Sequence, residues 1–402
     1  MTMLTTHTQL VTVRQRVTHY MPMRKPTATT TTTTNAIAVS DDDDDDDNNN
    51  KNKNKYFEVH DCFNKDLINR YDGFILDQFG VLHNGLNGLD GAPELVKVLV
   101  NKYNKKLVIL SNSSSSSKSC KGKLPDLGFN PNYFVNAVTS GEEAGRYIRN
   151  EYGGAAVNSN ATATATLTTT TTTKKKKALW FTWKSRKTSP SPLRFLELCG
   201  DVLVTTDPDE ADYIILQGVE VLRGQEDNDG AAEEIALGNF HTTGKMDENY
   251  DDDNHETIDY VLRTCVGRNI PMICANPDYI MVKPNGSIGY MPGTISKRYE
   301  ELGGDCISFG KPHVPHFEAC LQYLNLPKDK VAHVGDSLHH DVKGANDSGV
   351  DSIFVAGGIH RTELLRGCVL GDVPDKNDLK KLFKKHSQIP THVVPMFRGE
   401  LK

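Results

Sequence analysis

From Tyr56 onward, short apolar runs ending in polar residues alternate with stretches of helical spacing. Gly73–Asp77 is one such run: too short for a helix and closed by a carboxylate, it predicts a buried parallel strand. Pro93 opens a predicted helix reaching about Tyr103, with Leu95, Val96, Leu99 and Val100 on one face. Strands are predicted at 107–110 and 134–138, and a helix at 142–149. The rhythm then breaks. Residues 153–177 are Ala/Thr/Lys low complexity, and 223–254 read as an acidic insert bearing Gly and Asn. Between and after them, strands are predicted at 201–205, 213–216 and 271–274, with a hairpin turn at Pro284-Asn285-Gly286. After Gly293 the alternation resumes: a strand at 306–309, a helix at 315–324, and strands at 331–334 and 352–355. The expected fold class is α/β, a parallel sheet interrupted by an inserted second domain. The predicted division is a disordered low-complexity tail at 1–55, a core at 56–150 and 293–402, and an insertion at 151–292. No internal repeat is present.

The chain has 402 residues, 37% of them apolar, a low share explained by runs that cannot pack: Thr29–Thr34, Asp41–Asp47, Thr168–Thr173 and Lys174–Lys177. The formal charge of −6 is dominated by the seven-Asp run, and the remainder is close to neutral. No nucleic-acid footprint and no basic membrane face are therefore expected. Without 18 consecutive apolar residues, no transmembrane helix is expected. The eight cysteines have no CxxC or zinc-finger spacing and read as reduced thiols. The first 40 residues lack an apolar signal core, Asp and Glu, are rich in Thr, and carry Arg14, Arg16, Arg24 and Lys25. Such a composition suits either a plastid or mitochondrial transit peptide or a disordered tail, so cytoplasmic and organellar locations both stay open.

Four polar clusters close predicted strands, where open α/β sheets bind ligands. They are Asp77-Gln-Phe-Gly-Val, Ser111-Asn112, Gly310-Lys311-Pro312 and Gly335-Asp336-Ser-Leu-His-His-Asp341. Each alone is ordinary turn chemistry; four in this order are not. Two carboxylates at neighbouring strand ends repel, and a hard cation such as Mg²⁺ is what keeps both ionised.

These stretches resemble the haloacid dehalogenase-like (HAD) phosphohydrolases, in particular their class IIA subgroup. The matching segments are FILDQFGVLHNG (74–85), LVILSNS (107–113), AVTSGEEA (137–144), ICANPDY (273–279), FGKP (309–312) and VGDSLHHDVKGANDSG (334–349). The resemblance implies a Rossmann-like core with an inserted α/β cap of the C2 type, and Mg²⁺-dependent hydrolysis of a small phosphorylated molecule. It makes Asp77 the nucleophile of an aspartyl-phosphate route and a metal ligand, with Asp336 and the main-chain carbonyl of Phe79. Lys311 would neutralise the phosphoryl oxygens, which Ser111, Asn112 and backbone amides would hydrogen-bond. Asp341 joins the metal group as the carboxylate orienting a metal-bound water or Lys311. Asn276 and Asp278 match a cap loop that helps choose substrate, and class IIA caps make a homodimer an expectation.

One position departs from the family pattern. Most HAD phosphatases carry a second Asp two residues after the nucleophile as general acid and base; here it is Phe79. Acid–base assistance contributes about 10²–10⁴-fold. Three readings follow: a slow phosphatase acting on good leaving groups, recruitment of another group with His83 the nearest, or a phospho-ligand-binding or regulatory protein without turnover. The aromatic also resembles the true haloacid dehalogenases, in which Asp attacks carbon, although Lys311 and the GDSxxxD block suit phosphate. His313, His316, His339 and His340 read as surface or supporting residues, Trp180 and Trp183 as anchors at the start of the cap, and Gly357-Gly358 as a turn at the rim of the site.

Overall fold

The computed structural model describes residues 36–38, 56–153, 175–185, 192–228, 230–248, 257–283, 285–364 and 369–400. The readings of the Asp run, of the Thr run and of residues 249–256 fall outside them, as does that of the acid-free N-terminus apart from residues 36–38, which pair as a strand where a disordered tail was expected.

The first part of the core contributes β1 (Ala36–Ala38), β2 (Tyr56–Val59), β3 (Gly73–Leu76), β4 (Lys106–Ser111) and β5 (Phe134–Thr139). A second sheet is built from β6 (Lys177–Thr182), β7 (Leu203–Thr205), β8 (Tyr213–Leu216), β9 (Val221–Glu226), β10 (Ala232–Ala236), β11 (Met272–Cys274) and, beyond the hairpin β12 (Ile280–Val282)/β13 (Ile288–Tyr290), β14 (Cys306–Ser308). The chain then returns to the core as β15 (Val331–Gly335), β16 (Asp351–Val355) and β17 (His392–Val394). The core order is β1-β2-β17-β16-β15-β3-β4-β5, parallel except for β1 against β2.

Helices on both faces explain why the central strands are unbroken apolar runs. Phe74, Leu76, Leu107 and Ile109 face the helix Ala92–Asn101 through Leu95, Val96 and Leu99. The intervening residues Ile75, Val108 and Leu110 meet Phe317, Cys320 and Leu324 of the helix Val314–Leu324. The second sheet, ordered β10-β9-β6-β8-β11-β14 with β7 beside β6, repeats this logic. Leu179, Phe181, Ile214 and Leu216 pack with Val261, Leu262, Ile295 and Tyr299; Trp180, Tyr213 and Ile215 pack with Ala144, Ile148 and Phe195. Trp180 is thus a buried anchor at the start of this sheet, with Trp183 partly buried nearby.

The sheets correct several sequence expectations. The core does not resume at residue 293: the helix Pro292–Glu301 packs on the second sheet and β14 pairs with β11. At the other end, the helix Ser140–Glu151 starts at the edge of the core yet buries Ala144 and Ile148 against the second sheet. The supposed acidic insert at 223–254 supplies a hairpin, β9 against β10, and the lysine run ends inside β6 at Lys177. Sequence spacing also passed over β17, only three residues long, and the helix Lys376–His386, whose Lys-rich face conceals buried Leu379, Leu382 and Phe383. Among the described residues no cysteine is in a disulfide, and no helix is long and apolar enough to cross a membrane.

Candidate active site

Three of the four polar clusters converge because parallel strands β3, β4 and β15 end side by side, and the fourth, with Lys311, reaches them from the end of β14 in the second sheet. Asp77 follows β3, its N–H donating to the Val334 carbonyl at 2.9 Å. Lys311, 2% exposed, places its Nζ 2.6 Å from Asp77 Oδ1 and 2.7 Å from Asp341 Oδ1. Asp341 sits in the π-helical turn Leu338–Val342. Its Oδ1 also accepts from His333 Nε2 at 2.8 Å and its Oδ2 from the Ser337 N–H at 3.0 Å. Asp336, after β15, accepts the Ile359 N–H at 2.8 Å. Oxygens of Asp77, Asp336 and Asp341 lie within 4.8 Å of one another, so these three carboxylates could hold a cation.

Two glycines make room for Asp336. Gly80 has φ +83°, and a Cβ there would stand 2.0 Å from Asp336 Oδ2; a Cβ on Gly358 would stand 2.1 Å from the same atom. The Gly357-Gly358 turn thus does more than shape a rim: it lets the backbone close on the carboxylate.

Ionised together, the three buried carboxylates would set three negative charges against one ammonium. Burial pushes Asp77 up to about 7, against the pull of Lys311 and with the repulsion of Asp341. Asp336 is raised by burial and then by Asp77 and Asp341. Burial works against Asp341 as well, yet Lys311 and His333 outweigh it and hold the carboxyl far below its usual range. Lys311 is raised in turn, the two carboxylates prevailing over burial.

All the sequence-derived candidates (Asp77, Phe79, His83, Ser111, Asn112, Asn276, Asp278, Lys311, Asp336 and Asp341) line one cavity of about 710 Å³. Their surroundings revise some assigned roles. Asn112 was expected to bind substrate; its Oδ1 accepts the Lys311 N–H at 2.7 Å while its Nδ2 donates to Asp278 Oδ1 at 2.8 Å and to the Lys311 carbonyl at 3.3 Å. Its polar atoms are occupied in positioning. Asp341 touches Lys311, His333 and the Ser337 N–H, contacts that suit a carboxylate orienting Lys311. Ser111 Oγ accepts the Ser113 N–H at 3.3 Å, and its own hydrogen remains available to a ligand. Asn276 Oδ1 accepts the Asp278 N–H at 3.0 Å, shaping the loop that carries Asp278 into the cavity.

The proton-donor role considered for His83 meets a physical obstacle. Its Nδ1 accepts the Gly85 N–H at 3.1 Å, and burial followed by Lys123 lowers its pKa to about 4. A neutral ring with its lone pair engaged has no acidic proton to give at neutral pH. It packs edge-on to Phe79, centroids 6.0 Å apart, and so shapes the loop. Of the two alternatives for His316 and His340, the structure shows the supporting one, both being buried: His316 Nε2 accepts the Gly310 N–H at 3.0 Å, and His340 Nδ1 lies 3.2 Å from the Lys311 carbonyl. His333 escaped sequence reading; the one signal was an imidazole in the middle of the apolar strand 331–335. The hairpin residues Tyr279, Ile280, Met281 and Val282, also unforeseen, line the cavity wall.

A carboxylate held against a buried lysine at the ends of a Rossmann-like parallel sheet, under an inserted α/β module, is a HAD-type hydrolase architecture. Two family models agree: one for haloacid dehalogenase-like hydrolases matches residues 74–176, and a HAD-hydrolase-like one matches residues 308–382. The acid sugar phosphatase of Staphylococcus haemolyticus is 23% identical over 302 residues, covering 74% of this chain and 90% of the relative. A haloacid dehalogenase-like hydrolase from Brucella suis superposes with a TM-score of 0.56 at 22% identity, covering 82% of this chain and 97% of that one. A possible sugar phosphatase of the HAD superfamily from Cytophaga hutchinsonii gives 0.56 at 18% identity, with 86% and 100% covered. The two family models and these neighbours together support a haloacid dehalogenase-like superfamily hydrolase with a Rossmann-like core.

Proposed function

We propose that this protein is a Mg²⁺-dependent phosphatase of small phosphomonoesters, of the class IIA type, acting through phospho-Asp77. The observation that carries this reading is the cluster of three buried carboxyl groups around Lys311, which only a further cation would let ionise together. Asp77 and Asp336 retain oxygens for a hard divalent cation, and with the Phe79 carbonyl they would hold it. When bound, Mg²⁺ would supply charge neutralisation for the carboxylates and the phosphoryl group.

The remaining chemistry lies with the chain itself. Asp77 in its ionised form attacks phosphorus as the ester oxygen departs, and water then cleaves the acyl phosphate to regenerate the carboxylate. Lys311, fixed by Asp341 and Asn112, neutralises the transferring oxygens, and the Ser111 hydroxyl donates to them. The cap loop carrying Asn276 and Asp278 restricts the cavity to small esters. The phosphatase names of the Staphylococcus and Cytophaga relatives support the reaction class. Phe79 favours a second reading, a phospho-ligand binder with little turnover.

The test is phosphate release from p-nitrophenyl phosphate and a panel of sugar and glycerol phosphates, with and without Mg²⁺, in wild type and Asp77→Asn. Mg²⁺-dependent release lost in the variant supports the enzyme. Release no greater than the variant's, with phosphate esters still binding, supports the binder.

A further inference from the structure

We propose that Glu58, His60 and His392 form a second metal site, suited to Zn²⁺, at the end of the core sheet away from the catalytic cavity. The three potential ligand atoms form a compact triangle. His60 Nε2 lies 3.1 Å from His392 Nδ1 and 3.7 Å from Glu58 Oε2, and His392 Nδ1 lies 3.5 Å from the same Oε2. Zinc bonds of about 2.0–2.2 Å in tetrahedral geometry require ligand separations of roughly 3.3–3.6 Å, which these atoms nearly meet. A cation bonded to all three would keep one position open to solvent.

The surroundings orient the ligands. The Tyr71 hydroxyl donates to Asp351 Oδ2 at 2.8 Å and therefore accepts from His392 Nε2 at 2.9 Å. The His392 proton is thereby placed on Nε2, and the Nδ1 lone pair is turned toward His60 and Glu58. A ligating histidine whose other nitrogen is held through a carboxylate-backed partner is a recurrent zinc arrangement. Burial keeps both imidazoles below their usual range, His392 at about 4, so both are neutral near pH 7. In the metal-free chain a proton of His60 bridges the two rings; on metal binding His60 adopts the Nδ1–H tautomer. Arg70, 2.9 Å from Glu58 Oε2, is partly exposed and competes for one ligand, which places the site below the tightest zinc centres.

The triangle lies where β2 and β17 pair, His392 opposite Glu58, with the histidines 332 residues apart in sequence. A cation there would fasten the last strand, β17, to its neighbour β2. His392 opens β17 and Asp351 opens β16, whereas the catalytic carboxylates close β3 and β15. The two sites are therefore independent, and this inference does not rest on the phosphatase reading.

The test is a titration of tag-free, chelator-stripped full-length protein with Co²⁺ in excess Mg²⁺, followed by displacement with Zn²⁺. Four-coordinate Co²⁺ with nitrogen ligands absorbs intensely in the visible, whereas the all-oxygen catalytic site gives only a weak band. Wild type is expected to bind one equivalent with the intense band and to gain thermal stability with Zn²⁺. His60→Ala and the isosteric Glu58→Gln, folded by circular dichroism, should weaken binding more than about 100-fold, while Asp336→Asn keeps the band. No intense band in wild type, a band surviving in His60→Ala, or one lost in Asp336→Asn would overturn the proposal.

Discussion

Asn112 and Lys311 grip each other across the site. The Lys311 N–H donates to Asn112 Oδ1 at 2.7 Å, and Asn112 Nδ2 donates back to the Lys311 carbonyl at 3.3 Å, although the residues are 199 positions apart. The second hydrogen of the same amide reaches Asp278 Oδ1 at 2.8 Å, so one side chain joins strand β4, the lysine loop and the cap loop. Replacing it by Asp sets a carboxylate against Asp278 and loosens Lys311. For Asn112→Asp we expect kcat for phosphate release to fall about 10²-fold with unchanged far-ultraviolet circular dichroism, the scale of an ångström-level misplacement. A rate within about twofold of wild type would remove Asn112 from the positioning of Lys311.

The charge imbalance sets a pH dependence. Asp77 moves from an ordinary 3.8 to about 7 on folding, and Asp336 shifts in the same direction. A carboxyl raised by folding contributes stability fully present below its unfolded pKa and lost as pH rises through the folded one. Metal-free protein should thus lose this contribution between about pH 4 and pH 7. Mg²⁺ should restore stability only where the carboxylates ionise, so the increase in Tm with Mg²⁺ should be larger at about pH 7.5 than at about pH 5. An equal increase at both pH values would contradict the metal assignment.

Phe79 predicts a leaving-group bias. With no carboxyl at that position, departing oxygens leave without general-acid help, so nitrophenyl esters should outpace alkyl esters. Phe79→Asp should raise turnover of alkyl phosphomonoesters by up to about 10²-fold, the lower bound of general-acid assistance, and change p-nitrophenyl phosphate less. Equal effects on both substrates would show that Phe79 acts by shaping the loop instead.

His83 supplies the complementary control. Its imidazole titrates near 4, and its Nδ1 is engaged by Gly85. His83→Ala should leave the shape of the rate–pH curve unchanged between about pH 6 and pH 9, whatever it does to the amplitude. A lost inflection in that window would return His83 to the proton path.

Read alone, the chain determined the central strands and the order of the polar clusters that close them, because a buried parallel strand must be a short apolar run and its end must be polar. Asp77, Ser111 and Asp336 were legible for that reason, while Lys311 follows β14, a partly exposed strand of the second sheet. The module boundary was not: Ser140–Glu151, Pro292–Glu301 and β14 have the same amphipathic pattern whichever sheet they cover, and only tertiary packing gave them to the cap. Side-chain contacts were decided there too. That Asp341 meets Lys311 and that Asn112 meets the Lys311 backbone depend on atoms supplied by distant segments, whereas the Nδ1 of His83 is engaged locally by Gly85. The pairing of His60 with His392 has the same origin, since strands 332 residues apart meet only when the core sheet closes its edge. Local pattern specifies which face is buried; the identity of the partner across that face is a property of the fold.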